Sequence, residues 1–343
     1  MNRRRFTFLG AGALGLGALG IVPRFDRAGA QDAPDKIVLD YAFYNPSSLV
    51  LKDKGWIEED LAADGVEIEW VWSAGSNKAN EYLRSDAVDF GSTAGAAALL
   101  AKANGSGIQT VYLYSQPEWT ALVIPEDSEI TTVEELKGKK IAATKGTDPY
   151  FFLLRTLNEF GLTGSDVEVV NIQHADGRTA LENGDVDAWS GLDPYMAQTE
   201  LEHGSKLLYR NIDFNSWGFL NARTAFIEDH PEYVTRILAQ YERARQWIID
   251  NPDEAIAILA RDAELSEEVA AKELNERTNL NIDPVPGPTQ TEVLEQIIPI
   301  FEAENQLQPG ADANKALAEL YNTTFIEQVV AAAGATPEAT PAG

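Results

Sequence analysis

Short apolar runs alternate with amphipathic stretches over the first two thirds of the chain. The runs are rich in β-branched and aromatic residues, which is typical of strands, and the stretches between them have helical periodicity. Repeated alternation of this kind predicts βα units around largely parallel sheets, and hence an α/β protein. The predicted strands are residues 36–44, 66–72, 88–92, 110–114, 120–124, 139–144, 167–172, 186–190, 206–209 and 216–222.

The pattern changes after Pro231, where strand-like runs give way to helical periodicity. Asn251 with Pro252, and Ser266, are of the residue types that begin helices. A long helical region is therefore expected to pack on the sheets. The predicted helices are residues 230–250, 253–262, 266–277, 291–304 and 313–330.

Two segments of the chain resemble each other. Residues 83–90 (LRSDAVDF) have the same spacing as residues 181–188 (LENGDVDA), and each predicts a helix end, a turn and a buried strand. Upstream, residues 73–77 (SAGSN) correspond to residues 144–148 (TKGTD). The chain is therefore expected to contain two similar βα half-structures, although α/β folds reuse such turns often.

Both ends of the chain differ from the rest. Residues 2–6 (NRRRF) precede a Gly-rich apolar run and a small-x-small site at residues 28–30, so residues 1–30 are predicted to be a cleaved export signal that resembles the twin-arginine type. The alternative is an anchor that stays attached. Residues 331–343 (AAAGATPEATPAG) are predicted to be a disordered tail.

Composition excludes several functions. The 343 residues include 27 Lys+Arg against 54 Asp+Glu, a formal charge of −27, which argues against binding to nucleic acid or an anionic membrane. Without cysteine there is no disulfide, thiol nucleophile or thiolate metal site. Three histidines without paired-ligand spacing, and no G-x-S-x-G sequence, give no support to a metal site or a hydrolase. No cofactor is expected.

The turns at residues 73–77 and 144–148 are the sharpest local signal of a binding site. In each, glycine allows close backbone approach to a ligand, and a hydroxyl residue with an amide or acid opens a helix whose first N–H groups favour an anion. The alternative is that these side chains cap their own helices. The candidate residues are Ser76, Asn77, Thr147 and Asp148.

Other polar and aromatic residues follow predicted strands, where ligands bind in open α/β sheets. Each has a structural alternative: core packing for a tryptophan, and helix capping for Asp193. His174 also follows a strand, but a surface loop is predicted there. The further candidates are Ser47, Ser48, Ser92, Thr93, Trp119, Trp189 and Asp193.

Taken in order along the chain, these motifs resemble the aliphatic sulfonate, taurine and nitrate family of ABC-importer substrate-binding proteins. The resemblance covers nearly the whole chain after the signal. It rests on residues 44–48 (YNPSS), 73–77 (SAGSN), 88–93 (VDFGST), 133–139 (VEELKGK), 144–148 (TKGTD), 186–189 (VDAW), 193–194 (DP) and 251–255 (NPDEA).

The resemblance implies a two-lobed periplasmic binding protein of type II, with two crossing strands and a ligand cleft between the lobes. Lobe 1 would comprise residues 36–117 and 220–330, and lobe 2 residues 118–219. The turns at Ser47/Ser48, Ser76/Asn77, Ser92/Thr93 and Thr147/Asp148 match positions where such proteins line the cleft. The implied partners are a small organic anion or zwitterion and a membrane permease, for a monomeric receptor outside the cytoplasm.

We therefore expect a non-catalytic receptor for an aliphatic sulfonate. If Asp193 faces the cleft, an amino-sulfonate such as taurine is favoured over a plain alkanesulfonate. The acidic surface of the chain also favours a zwitterionic ligand of this kind. The alternatives are a receptor for another small ligand, such as nitrate or a thiamine-pyrimidine precursor, and an enzyme on the same fold. The absence of cysteine argues against the thiamine-pyrimidine synthases, which use a Cys-rich motif.

Overall fold

The computed structural model describes residues 33–334, which form two β-sheets surrounded by helices. The predicted export signal at residues 1–30 lies outside the described residues. Each predicted strand is present, most of them shifted or shortened by a few residues. The strands are β1 Lys36–Tyr41, β2 Glu67–Trp72, β3 Phe90–Ala94, β4 Ile108–Pro117, β5 Leu122–Ile124, β6 Lys140–Ala142, β7 Glu168–Val170, β8 Ala188–Ser190, β9 Lys206–Tyr209, β10 Gly218–Arg223 and β11 Thr278–Asn279.

Helices follow most of the strands and make up most of the chain after β10. In the described part of the chain, none of them is both long and apolar enough to cross a membrane. The helices are α1 Pro46–Lys54, α2 Trp56–Leu61, α3 Ser76–Arg84, α4 Gly95–Ala103, α5 Asp148–Glu159, α6 His174–Glu182, α7 Tyr195–His203, α8 Thr224–Asp229, α9 Pro231–Asp250, α10 Pro252–Asp262, α11 Glu267–Ala271, α12 Pro288–Glu295, α13 Ile298–Ala303, α14 Ala313–Ala318 and α15 Thr324–Gly334.

The two sheets have similar strand arrangements. The first has the order β11-β4-β10-β3-β1-β2, and the second has the order β7-β6-β8-β5-β9. Strand β10 is antiparallel to both of its neighbours in the first sheet, and β5 is antiparallel to both of its neighbours in the second. Each sheet thus contains an antiparallel strand that the chain enters directly after crossing from the other sheet. The short edge strand β11 of the first sheet is also antiparallel to its neighbour, β4. The expected α/β fold with two crossing strands is confirmed.

The two crossings of the chain lie side by side. The first crossing segment is residues 118–121, between β4 and β5, and the second is residues 210–217, between β9 and β10. Arg210 donates two hydrogen bonds to the Glu118 carboxylate, at 2.9 and 2.5 Å, and the Thr120 amide donates to Asn215 Oδ1 at 3.2 Å. These bonds hold the two crossing segments together, so two adjacent segments of the chain connect the sheets.

The repeated sequence produces matching structure in the two sheets. Asp89 precedes β3 and accepts a hydrogen bond from the Val38 amide at 2.8 Å, while the Asp89 amide donates to the Val38 carbonyl at 2.7 Å. Asp187 precedes β8 and makes the same pair of bonds with Lys140, at 2.8 and 2.9 Å. Both aspartates therefore fix the register between their strand and the neighbouring parallel strand.

The C-terminal helices contact elements of both sheets. Helix α9 packs with the first sheet in one apolar cluster, whereas α13 contacts α5, which follows β6 of the second sheet. The rings of Phe151 and Phe301 meet edge to face, with centroids 5.1 Å apart. The residue limits given for the two lobes stay a prediction.

Four predictions for the C-terminal region are wrong in detail. The helix predicted at residues 291–304 is divided into α12 and α13, and that at 313–330 into α14 and α15. The helix predicted at 266–277 changes to a π-helix at Lys272–Glu276 before the short strand β11. Residues 331–334 of the predicted tail continue α15, because Val329 and its neighbours anchor that helix in the core; residues 335–343 lie outside the described residues.

Candidate functional site

A small cavity lies between the two sheets, at the carboxyl ends of their parallel strands. Its volume is about 10 Å³, which is room for about one water molecule, so a ligand can enter only when the two sheets move apart. Both sheets and the first crossing segment contribute to its wall. The lining residues are Tyr44, Ser76, Ala94, Trp119, Thr147, Asp148, Pro149, His174 and Leu192.

The wall on the side of the first sheet is built around the start of α3. Gly75 is the N-cap of this helix and no side chain caps it, so the capping role considered for Ser76 is not the one observed. Instead, Ser76 Oγ accepts a hydrogen bond from the Ala94 amide at 2.9 Å. Its hydroxyl proton has no acceptor among the described residues and is available to a ligand. The first N–H groups of α3 lack partners within the helix, as at any helix start.

A polar layer lies behind this wall. Ser92 donates from its amide and its hydroxyl to Asp40 Oδ1, both at 2.8 Å, and accepts from Asn45 Nδ2 at 2.7 Å. Burial raises the pKa of Asp40 to about 6. Thr93 Oγ1 accepts from Asn221 Nδ2 at 2.8 Å. Ser92 and Thr93 are thus engaged within this layer, in which Asp40 Oδ2 has no partner among the described residues. Both residues support the wall and do not line the cavity.

The turn between β1 and α1 is also directed inward. Ser48 Oγ donates to the Asn45 carbonyl at 2.7 Å and accepts from the Ala42 amide at 3.2 Å, which closes the turn. Ser47 Oγ is buried and has no partner in the described residues. Neither serine is among the cavity-lining residues. Tyr44, from the same turn, does line it, and its ring meets that of Trp119 edge to face with centroids 5.8 Å apart.

The wall on the side of the second sheet contains Thr147 and the start of α5. Thr147 Oγ1 donates to the Thr144 carbonyl at 2.6 Å, so its hydroxyl proton is already used. Thr147 is the N-cap residue of α5 but makes no side-chain cap. Pro149 and Asp148 in the first turn are typical of a helix start. Helices α3 and α5 thus both begin at the cavity, one from each sheet.

Asp148 joins α5 to both crossing segments. Its Oδ2 accepts from the Trp119 indole at 2.9 Å and the Ser216 amide at 2.8 Å, and its Oδ1 accepts from Ser216 Oγ at 2.5 Å. Burial raises the pKa of the carboxyl, and these hydrogen bonds oppose that shift. Because its oxygens are occupied, Asp148 holds the two crossing segments in place and also forms part of the cavity wall.

Asp193 lies beside the cavity but faces another group. Its Oδ1 accepts from the Ala197 amide in the first turn of α7 at 2.8 Å, so the capping alternative describes one of its roles. The Arg277 guanidinium binds the same carboxylate at 3.1 and 3.3 Å and also binds Glu200. Glu273, buried beside this group, has a pKa well above its usual value because of burial and the charge of Asp193.

The two candidate tryptophans have different surroundings. Trp119 lines the cavity, whereas Trp189 is fully buried in a core cluster of the second sheet and is not a lining residue. Asn77 is half-buried and does not line the cavity, and its buried Oδ1 has no partner among the described residues. The structure thus brings together Ser76, Trp119, Thr147 and Asp148, and places Ser47, Ser48, Asn77, Ser92, Thr93, Trp189 and Asp193 outside the lining.

His174 is the main residue that the sequence reasoning misplaced. The prediction of a surface loop is wrong: His174 is the first residue of α6, is 1% exposed and lines the cavity. The signal was its position directly after a predicted strand, the same signal that selected Ser92 and Thr147. Over residues 33–334, no group of three or more His, Asp or Glu side chains is placed to hold a metal ion.

Comparison with known proteins agrees with this architecture. The NMT1/THI5 like family matches residues 47–255. An aliphatic sulfonates-binding protein of Bacillus subtilis is 33% identical over 68% of this chain and 71% of its own length, and one of Escherichia coli is 29% identical over 82% and 87%. The alkanesulfonate-binding protein SsuA of Xanthomonas axonopodis, solved bound to MOPS, has a TM-score of 0.75 at 23% identity, over 82% of this chain and 98% of its own, and so shares the fold.

Proposed function

The chain belongs to the NMT1/THI5-like family, and we propose that it is an extracytoplasmic receptor that binds an aliphatic sulfonate between its two sheets and delivers it to an ABC importer. The relatives that are similar over most of its length are named for that ligand class. The proposal places the ligand in the cavity lined by Ser76, Trp119 and Thr147.

The observation that carries the proposal is the meeting of two helix starts at one cavity. Helix α3 begins there from the first sheet and α5 from the second. The start of a helix attracts an anion through its free N–H groups and its dipole, by roughly 0.3–1 kcal/mol when exposed and up to about 2 kcal/mol in a partly buried site. A sulfonate has three oxygens and can accept from both helices and from Ser76 Oγ at once.

Release and capture require the two sheets to separate. The double crossing at residues 118–121 and 210–217 is the covalent connection through which the first-sheet and second-sheet walls can rotate. Closure around the ligand would bring the two helix starts together and form the surface that a membrane permease recognises. Receptors that deliver a ligand this way release it unchanged, and we propose no catalysis here.

Membership of this family also supports the proposed location outside the cytoplasm. An extracytoplasmic receptor needs export, for which the twin-arginine-like residues 1–30 would serve. We further propose that the signal is cleaved and that the mature protein is a monomer.

Calorimetric titration of the purified protein with taurine, ethanesulfonate, longer alkanesulfonates, nitrate and thiamine precursors tests the ligand class. Binding of a sulfonate is expected. If nitrate or a pyrimidine binds and no sulfonate does, the proposal fails. Release of an altered product from a bound sulfonate would show instead that the protein is an enzyme.

A matched pair of serine variants tests the position of the ligand. Ser76→Ala removes a hydroxyl whose proton is free to bond the anion, and should weaken sulfonate binding by about 1–2 kcal/mol. Ser85→Ala, just after the other end of α3, should leave the affinity unchanged. Equal affinities for the two variants would place the anion elsewhere. Thr147→Val should have a smaller effect than Ser76→Ala, because the Thr147 proton is already bonded to Thr144.

A further inference from the structure

His174 is a cavity-lining residue with an unused ring nitrogen. The ring is buried, and its Nε2 has no hydrogen-bond partner among the described residues. This nitrogen lies 2.8 Å from the point where a Cβ on Gly75 would stand, so the backbone of the first-sheet turn approaches the ring closely. A buried polar atom without a partner is costly unless a ligand or water satisfies it.

The hydrogen bonds around His174 identify which of its ring nitrogens carries the proton. Thr144 Oγ1 lies 2.7 Å from the Ile172 carbonyl, which can only accept, so the single hydroxyl proton is used there. His174 Nδ1 lies 3.2 Å from the same hydroxyl oxygen. The oxygen has no second proton to donate, and Nδ1 must therefore donate to it. Burial lowers the pKa of His174 to about 3, so the ring is neutral. Nε2 then carries a lone pair and is an acceptor.

A second unused acceptor lies nearby. Asn77 Oδ1 is buried without a partner among residues 33–334 and lies 2.9 Å from the same Cβ position on Gly75. Two acceptors cannot bond each other, so Asn77 Oδ1 does not satisfy His174 Nε2. Two carboxylates near the cavity are already engaged, Asp148 by Trp119 and Ser216, and Asp193 by Arg277 and the Ala197 amide.

We propose that His174 Nε2 is a specificity-determining acceptor for a hydrogen-bond donor on the ligand, so that the site prefers sulfonates that carry an ammonium or hydroxyl group over plain alkanesulfonates. This inference rests on the proposed function. It assigns the recognition of the ligand's second group to a neutral imidazole and not to Asp193, the carboxylate that the sequence suggested.

The experiment compares taurine, isethionate and ethanesulfonate by calorimetry on the wild type and two variants. His174→Asn keeps an N–H group in place of Nδ1 and removes Nε2, while His174→Gln can place an amide oxygen near Nε2. His174→Asn should weaken taurine binding roughly fivefold to tenfold and change ethanesulfonate binding less than about twofold, with partial recovery in His174→Gln. Equal losses for taurine and ethanesulfonate would mean that His174 only packs, and the inference would be overturned.

The proposed function and this inference fail in different ways. If no sulfonate binds the wild type, the proposed function is wrong; if ethanesulfonate binds as tightly as taurine, only the inference is wrong. Should the variants not fold, ¹⁵N NMR of the wild type gives the answer, since the chain has only three histidines. An Nδ1-protonated ring whose Nε2 signal shifts with taurine and not with ethanesulfonate is expected. An Nε2-protonated ring would refute the inference. So would an Nε2 signal that taurine leaves unchanged, as expected if the Asn77 NH₂ group is turned toward the ring and already donates to Nε2.

Discussion

The carboxylate of Asp148 is the point at which one substitution should most affect the connection between the sheets. It accepts from Trp119 in the first crossing segment and from Ser216 in the second. Ser216 Oγ in turn accepts from the Ala96 amide at the start of α4, at 2.8 Å. A continuous set of hydrogen bonds thus runs from α5 through both crossings to the first sheet, and Asp148→Asn changes its central member.

The expected loss of stability follows from counting bonds. An asparagine whose oxygen takes the place of Oδ2 keeps the bonds from Trp119 and from the Ser216 amide, but its NH₂ group cannot accept the Ser216 hydroxyl proton. One bond to a charged group, of about 1.5–3 kcal/mol, is lost, and two more become bonds to a neutral oxygen. Removing a buried charge offsets part of this loss. We expect the free energy of unfolding to fall by about 1–3 kcal/mol for Asp148→Asn, and by about 3–5 kcal/mol for Asp148→Ala, which also leaves the indole and amide N–H groups unpartnered.

Urea unfolding followed by circular dichroism measures these differences. Asp185→Asn, at an exposed turn, is the matched control and should stay within about 0.5 kcal/mol of the wild type. An Asp148→Asn protein as stable as this control would show that the carboxylate does not hold the crossings together.

Two further predictions concern the close packing at Gly95 and the buried carboxyl group of Glu273. Gly95→Ala should lower the free energy of unfolding by about 1–3 kcal/mol, because the new Cβ would lie 2.4 Å from the Ser216 carbonyl oxygen. Gly107→Ala, whose new Cβ would have no atom within 4 Å, should leave the free energy of unfolding unchanged. Equal effects of the two substitutions in urea unfolding would contradict this prediction. The raised pKa of Glu273 means that the folded protein holds a proton that the unfolded chain releases, so wild-type stability should fall as pH rises from about 4.5 through that folded pKa. Glu273→Gln should lose this part of the pH dependence in the same assay, and an unchanged pH profile would show that Glu273 is not the group responsible.

The sequence predicts the strands and their polar ends well because both depend on local signals. Apolar runs mark the strands, and the Gly-hydroxyl turns at residues 73–77 and 144–148 mark where helices start. These signals place Ser76 and Thr147 at the cavity, since the carboxyl ends of parallel strands share one edge of a sheet. Strand β11 was missed because two residues are too short to show a period.

Side-chain surroundings depend on partners that are distant in sequence, and local patterns do not contain them. Trp189 lies in a strand buried on both faces, where alternation does not distinguish the cavity side from the core side. His174 is enclosed because Gly75, from the other sheet, lies against it. Asp148 has the sequence of a helix start, but its bonds go to residues 29 and 68 positions away.

The electrostatics of the cavity constrain the ligand more than the net charge does. Its lining contains no Lys or Arg and includes the buried Asp148, so an incoming sulfonate meets helix starts and neutral donors but no full positive charge. Such short-range attraction is weakly screened by salt, and the outer charge of −27 is screened beyond about 8 Å at physiological ionic strength. A ligand with an ammonium group beside its sulfonate would lessen the repulsion from Asp148 and supply the donor that His174 Nε2 lacks. Salt-insensitive binding with a preference for amino-sulfonates is therefore the combination that this arrangement predicts, and affinity that falls steeply with added salt would indicate a cation contact that the cavity lining does not contain.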